Sequence, residues 1–264
     1  LLSDHTAFSV LPAFLRFFIL LLKAKPVRNA YFDLLNKKAP GIYGDLLCRK
    51  RYITDGVAAS ANQGAISSVV IFGAGFDTLA YRIPELSSIK VFELDFPENI
   101  AGKKKRIEKI FGGIPDYVKL VPIDFNRRET DQVLLSAEYS FASVTFFVIE
   151  GVTQYITEDA FRRILSLLAH AKSGSRLIFT YILKDFIEGK SFYDLEDLYK
   201  RVRVVSQTWK LGFSPDEIGS ILGQYNWNKT EDVGWEEYRE RFIDPTGRKI
   251  DAMKIERAVF AEKL

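Results

Sequence analysis

The stretch Val69–Ile83, VVIFGAGFDTLAYRI, decides how this chain is read. Val69, Val70, Ile71 and Phe72 form a continuous apolar run, Gly73 and Gly75 interrupt it, and a helix-compatible segment follows. That is the pattern of a buried strand feeding a glycine turn and then a helix. Glycine at both positions permits a tight turn and a close approach of backbone to ligand. Dinucleotides and S-adenosylmethionine (SAM) are both held at turns of this kind. The dinucleotide fingerprint G-x-G-x-x-G adds a third glycine that packs the helix beneath a pyrophosphate. Here Thr78 stands in its place. SAM has no phosphates and can dispense with that glycine, but the turn alone does not choose between the cofactors.

Working outward, apolar runs rich in β-branched residues recur at 68–74, 90–95, 119–124, 142–150 and 176–182. Their near-continuous hydrophobicity suits parallel strands covered on both faces. Helix patterns separate them: FPENIAGKKKRIEKIF, ETDQVLLSA and TEDAFRRILSLLAHA, the last opening on Thr157 as cap with Glu158 and Asp159 in its first turn. This alternation predicts a doubly wound α/β sheet with right-handed crossovers. After the fifth strand the pattern changes to a long polar and aromatic helical stretch, KDFIEGKSFYDLEDLYKRVRVV. A second helix follows, SPDEIGSILGQY, with Ser214 as cap and Pro215 in its first turn. Two late strand-like pieces, NWNKTEDV and ERAVFAEKL, flank WEEYRERF. Two strands closing a five-stranded parallel core fit a seven-stranded methyltransferase sheet better than a six-stranded dinucleotide sheet. We read the chain as one domain. It has a helical layer over 1–65, a cofactor-binding core over 66–183, a helical lid or insertion over 184–225 and closing strands over 226–264.

Acids stand at successive strand ends. Asp95 closes the second strand, 20 residues after Gly75, where a carboxylate can accept both hydroxyls of a ribose. It could equally cap the helix beginning at Phe96-Pro97, and NAD sites also use an acid there. Glu93, two residues earlier on the same strand face, is expected to pair structurally, with Arg82 as the candidate partner. Asp124 and Phe125 close the third strand, suited to the exocyclic amine and the ring of adenine. Glu150 and Gly151 end the fourth strand at the switch point where open α/β sheets bind ligands, so Glu150 is read as a functional ligand.

The rest of the composition mostly excludes. Lys and Arg number 37 against 34 Asp and Glu, too small an excess to argue for nucleic acid. The dense basic run Lys103–Arg106 is read as a solvated helix face rather than a phosphate site. The single cysteine, Cys48, fits a reducing compartment, and two distant histidines, His5 and His170, offer neither a transition-metal site nor a partner for a nucleophile. The run PAFLRFFILLLKAKP is broken by Arg16 and falls short of the ~20 residues that span a bilayer. It has no basic region before it and no small-residue cleavage site after it. A helix covering the core or roofing a pocket is expected there instead. The chain opens at Leu1 rather than at a methionine, so residues are expected to precede it. No membrane partner, no metal and a cytoplasmic location are the corresponding expectations.

Four segments in order, GAGFDTLAYRI, FELDFPENIAGKKKRI, VPIDF and IEGVTQYIT, resemble the leucine carboxyl methyltransferase family of class I SAM-dependent enzymes. Upstream, KKAPGIYGDLLCRKRYITDG resembles the segment that precedes the glycine turn in this family, and downstream LGFSPDEIGSILGQYNW and ERAVF resemble its bacterial and polyketide-tailoring branch. The resemblance implies an α/β, Rossmann-like sheet of seven mostly parallel strands with the last antiparallel, and SAM as cofactor with S-adenosylhomocysteine as product. It implies that Arg49, or Arg51 close by, pairs with the methionine carboxylate of SAM. Gly73 and Gly75 would line its methionine and ribose, Asp95 would hold the ribose, and Asp124 and Phe125 the adenine. Glu150 would lie near its amino group and Tyr155 would face the acceptor. The chain departs from the family at Lys50, at Thr54-Asp55 and at Leu79, where an arginine is expected. Those departures touch the surroundings of the cofactor and imply weakened affinity.

Displacement at a sulfonium needs a positioned acceptor and little else. A carboxylate acceptor needs no base, whereas a phenol benefits from one, for which Tyr155 and Glu150 are the candidates. A packed ring is the other reading of Tyr155. The expected activity is methyl transfer to a carboxylate or phenolic hydroxyl of a small, polyketide-like acceptor. A protein C-terminal carboxylate is the alternative acceptor. An NAD-dependent oxidoreductase, and a SAM-binding protein without catalysis, are the alternatives of other classes.

Overall fold

A computed structural model describes residue 4 and residues 6–124 and 130–264. The chain opens with α1 (Ala7–Val10), α2 (Ala13–Leu21), α3 (Lys25–Lys38) and α4 (Ile42–Asn62), and then enters the sheet at β1 (Ser68–Phe72). There follow α5 (Leu79–Arg82), β2 (Lys90–Asp95), α6 (Pro97–Phe111), β3 (Val118–Pro122), α7 (Thr130–Ser136), β4 (Thr145–Ile149), α8 (Glu158–Leu168) and β5 (Arg176–Ile182). Past β5 come α9 (Lys184–Ile187), α10 (Glu196–Tyr199), α11 (Pro215–Gly223), β6 (Trp227–Val233), α12 (Trp235–Tyr238) and β7 (Glu256–Lys263). The seven strands form one sheet in the order β3-β2-β1-β4-β5-β7-β6. β7 runs antiparallel to both β5 and β6, and the remaining pairs are parallel.

Every residue of β1 and β4 is buried, because helices cover both faces of the sheet. Alternate side chains feed two cores. Val70, Phe72, Phe147 and Ile149 join Phe161 and Trp227 on one face. Val69, Ile71 and Val148 join Ile53 and Val57 of α4 on the other. The register then sets the site. Phe72 lies opposite Leu94 of β2 and opposite Ile149 of β4, so the next residues, Gly73, Asp95 and Glu150, leave the sheet at one level. They do so around the switch point between β1 and β4, where open α/β sheets form their ligand crevice.

Four sequence expectations are corrected here. Glu93 pairs not with Arg82 but with Lys103, at 2.8 Å, and both side chains are fully buried. The Tyr81 hydroxyl donates to the same carboxylate at 3.0 Å. Burial raises the Glu93 carboxyl above its usual range, against the pull of Lys103 and Tyr81. Lys103 is drawn in because Ile100, Lys103 and Ile107 share one face of α6, while Lys104 and Lys105 point to solvent. The basic run is therefore a solvated face only in part.

The stretch after β5 is not one long helix. It breaks between α9 and α10, where Gly189, Tyr193 and Asp194 take positive φ, and it folds onto a small core of Phe186, Leu198, Trp209, Met253 and Ile255. Nor does α2 cover the core. Phe14 and Phe17 are 71% and 64% exposed, and α3 has no buried residue. The linkage to the body runs instead through rings, Phe18 to Tyr31, Tyr31 to Phe32 and Phe32 to Tyr43, with centroids 4.6–5.5 Å apart. Among the described residues no helix is long and apolar enough to cross a membrane.

The buried pair makes a two-step test. Lys103→Met strands the Glu93 carboxylate and is expected to cost about 3 kcal/mol of unfolding free energy in urea. Adding Glu93→Gln to that variant should restore most of the loss, since the double change leaves no buried charge.

Candidate active site

The glycine turn is held from below and from the side. Gly73 and Gly75 have φ of 68° and 41°, a region that side-chain-bearing residues seldom adopt. A Cβ on Gly73 would also lie 2.4 Å from Cγ2 of Val152, so the turn abuts the segment after β4. The Gly75 N–H donates to Oδ2 of Asp95 at 2.6 Å. Oδ1 of the same carboxylate accepts from the Phe96 N–H and the Asn99 amide, both at 2.7 Å. Asp95 thus ties the glycine turn to the segment that enters α6, but it is not that helix's cap: Phe96 holds the N-cap position, and no side chain caps it. Its Oδ2 accepts one N–H and keeps a lone pair for a further donor. Below, Nζ of Lys103 lies 3.4 Å from the Ala74 carbonyl and anchors the middle of the turn to α6.

Beside the turn lies a contiguous set of charges on α4, α5 and the strand ends. Nε of Arg49 pairs with Glu150 at 2.8 Å and its NH1 with Glu256, at the start of β7, at 2.6 Å. Lys50 pairs with the other oxygen of Glu150 at 2.9 Å and with Asp77 at 3.2 Å. Asp77 in turn holds Arg82 at 2.8 Å, and Arg82 donates to the Thr54 hydroxyl at 2.9 Å. Burial opposes the charge on Arg49, yet Glu256, Glu150 and Asp45 outweigh it and raise its pKa. Burial likewise works to raise the Asp77 carboxyl, but Lys50, Arg82 and Lys103 hold it well below the usual carboxylate range.

Asp45, one turn before Arg49 on α4, is fully buried with neither carboxylate oxygen hydrogen-bonded among the described residues. Burial first, and then Glu256, push its pKa well up. The Tyr238 hydroxyl is buried and unpartnered in the same way, and its pKa is raised by burial and by Asp45 and Glu256. Beside Asp45, three cations, Arg49, Lys50 and Arg82, face four carboxylates, Asp77, Glu150, Glu256 and Asp4, the last 3.8 Å from Arg82.

The predicted residues sort as follows. Gly73, Gly75, Asp95, Glu150 and Arg49 converge on the switch point. Arg51 does not: it is exposed and pairs with Asp55 one turn on, so Arg49 is the inward arginine. Asp124 lies two residues past β3 and is partly buried, and Phe125 lies outside the described residues. Tyr155 sits on the turn after Glu150, 49% exposed, its ring edge-on to Trp209 at 6.5 Å. Lys50 and Thr54 enter the charge set as partners of Glu150 and Arg82, and Leu79 is fully buried in apolar core. Sequence reasoning missed Asp45, Asp77 and Glu256. Asp77 stood inside the opening motif and could have been found there. Glu256 carried no local signal, since only the antiparallel return of β7 brings it to Arg49.

Among the described residues no group of three or more His, Cys, Asp or Glu side chains is arranged to hold a metal ion. His170 follows α8 and packs edge-on against Phe141 at 6.1 Å, close to the opposite edge of the sheet. A cavity of about 620 Å³ lies between α3, the start of α4 and residues 249–251, with Phe32, Tyr43, Asn36 and Lys249 in its wall. It shares no residue with the turn and strand-end set.

The profile of the leucine carboxyl methyltransferase family matches residues 13–169, more than half of the chain. YktD of Bacillus subtilis, provisionally named an S-adenosyl-L-methionine-dependent methyltransferase, is 31% identical over 156 residues, 58% of this chain and 51% of its own length. The chain spans about half to three-fifths of the length of the curated relatives it matches. Among solved structures, a provisionally named methyltransferase of Thermobifida fusca superposes with a TM-score of 0.63 at 15% identity, over 90% of this chain and 88% of its own. A DUF574-family protein of Streptomyces avermitilis gives 0.62 at 13%, over 99% and 98% of the two chains. At such identities the likeness is one of fold.

The charge set has a pH signature. The folded-state pKa of Asp77 is depressed, so its stabilisation is fully present above the unfolded value near ~4 and is lost as pH falls further. Asp77→Asn is therefore expected to cost about 3 kcal/mol at neutral pH. Its deficit relative to the parent should shrink by about 1.4 kcal/mol per pH unit below ~4, as read from denaturation at several pH values.

Proposed function

The chain belongs to the leucine carboxyl methyltransferase family, and from that premise we propose that it is a SAM-dependent methyltransferase acting on an oxygen acceptor. The observation that carries this reading is the convergence of Gly73, Asp95, Glu150 and Arg49 at one level of the sheet. Arg49 and Glu150 offer a cation and an acid side by side, the complement of an amino-acid zwitterion. Asp95 offers carboxylate oxygens to a ribose beside a glycine turn too tight for side chains, and Asp124, with Phe125 after it, would border the adenine. These donor and acceptor types fit SAM. They lack the third glycine and the second mononucleotide half that a dinucleotide needs.

When bound there, SAM supplies a methyl group on a sulfonium, a leaving group already activated by its charge. The work left to the chain is to position and to exclude water. Arg49 would exchange part of its pairing with Glu150 and Glu256 for the cofactor carboxylate, and Glu150 would turn to the ammonium. Lys50 holds Glu150 fixed in direction while this happens. Tyr155, on the turn that follows Glu150 and backed by Trp209, would face the acceptor. An acceptor that is itself acidic, a carboxylate or a phenol of a small polyketide-like molecule, asks for no strong base. That suits a site whose nearest acids are committed to cations. In this reading the chain works as one domain, the 1–65 layer and the 184–225 insertion bordering the crevice, in a cytoplasmic setting.

Calorimetric titration should show binding of SAM and S-adenosylhomocysteine and none of NAD. Tight NAD binding without SAM would sink the proposal. Asp95→Ala should weaken SAM binding by about 100-fold, since it removes charged hydrogen bonds to the ribose and the tie to Gly75 together. Unchanged affinity would refute the ribose role. A screen of acceptors with tritiated methyl donor then reads the product, because mild base releases methanol from an ester and leaves an ether intact.

A further inference from the structure

We propose that α2 and the adjoining face of α3 dock on an anionic lipid surface. In α2, Phe14, Phe17, Phe18 and Leu21 recur at the spacing of one helical face, and all four are exposed, from 39% to 71%. The strip continues onto α3. Phe18 meets Tyr31 at 5.2 Å, and Tyr31 shares a helical face with Val27 and Leu34, which are 44% and 53% exposed. Contiguous apolar surface of this kind on a water-facing helix marks an interaction site.

Charge selects the occupant. Lys23 stands in the turn between the helices, Lys25 opens α3 with Arg28 one turn on, and Lys37 and Lys38 lie just beyond Leu34, all exposed. No carboxylate among the described residues pairs with any of them. Residues 1–40 hold six Lys and Arg against two Asp, a net +4, whereas the rest of the chain has 31 against 32, a net −1. The whole positive excess of the protein thus lies beside its exposed phenylalanines. A second copy seated on this face would bring +4 against +4. An anionic headgroup layer would neutralise the lysines while the phenyl rings entered the acyl boundary, as an amphipathic segment lies in an interface. Since α2 is only nine residues long, it would lie on the bilayer and not cross it. This surface does not depend on the methyl-transfer reading, and it replaces the expectation that the protein has no membrane partner.

The test is flotation of the full chain with vesicles of phosphatidylcholine alone or containing roughly one-third phosphatidylglycerol. Binding to the anionic vesicles, absent from the neutral ones and weakened by added salt, is the expected result. Lys23→Glu with Lys25→Glu should lower partitioning at least about fivefold per cation removed. Phe14→Ser with Phe17→Ser should lower it by about tenfold or more at unchanged charge. Far-UV dichroism and the unfolding midpoint establish that both variants fold. Equal flotation with neutral and anionic vesicles, or none with either, overturns the proposal. So does a concentration-dependent dimer in sedimentation that Phe14→Ser and Phe17→Ser dissolve, which would assign the face to a second copy.

Discussion

Phe72 is paired on one side with Leu94 and on the other with Ile149, and this double register is the constraint on which the site depends. A strand can be shifted along its neighbours only in whole residues, and a shift of one would turn every side chain to the wrong face. Because β1, β2 and β4 are buried on both faces, such a slip is heavily disfavoured, and three chain segments far apart in sequence end together. A flexible Gly73, an acidic Asp95 and an acidic Glu150 then share one crevice mouth. Asp95 converts this alignment into a rigid turn by accepting N–H groups from both β-ends it stands between.

Around that mouth the protein concentrates buried charge that its size does not require for stability. Buried ion pairs seldom add net stability, since desolvation offsets most of the attraction. Lys103 and Glu93 pair under the glycine turn, and their value is directional, placing an ammonium against the Ala74 carbonyl. The same reasoning applies to Arg49, held between Glu150 and Glu256 and near the buried Asp45. An arginine fixed by two carboxylates is pre-oriented for a third, and Lys50 stands ready to hold Glu150 when one of those contacts is given up. The residues that depart from the family pattern at 50 and 54 are thus partners within the set, while Leu79 contributes packing alone.

The outer layers follow other rules. The insertion after β5 breaks at Gly189 and again at Tyr193–Asp194, and gathers Phe186, Leu198 and Trp209 into a core of its own against Met253 and Ile255. Its aromatic residues mainly hold that layer together, and Trp209 reaches Tyr155 at its border. At the other end α2 and α3 hang from the body by a relay of four rings, leaving their apolar strip and their lysines facing outward.

The local order of elements was legible in the residues themselves. Continuous β-branched runs bounded by glycine marked the strands, Thr157 and Ser214 marked helix starts, and the acids at 95 and 150 marked strand ends that meet at the switch point. Those signals are short-range: propensity, periodicity and capping act within a few residues, so a linear reading captures them. Long-range partners escaped it. That Lys103 in a basic run turns inward to Glu93, that Glu256 returns on an antiparallel strand to Arg49, that Asp45 lies buried beside them, and that the apolar face of α2 looks outward are decided by packing. Desolvation and cross-sheet distance depend on where the whole chain goes, and only the tertiary structure sets them.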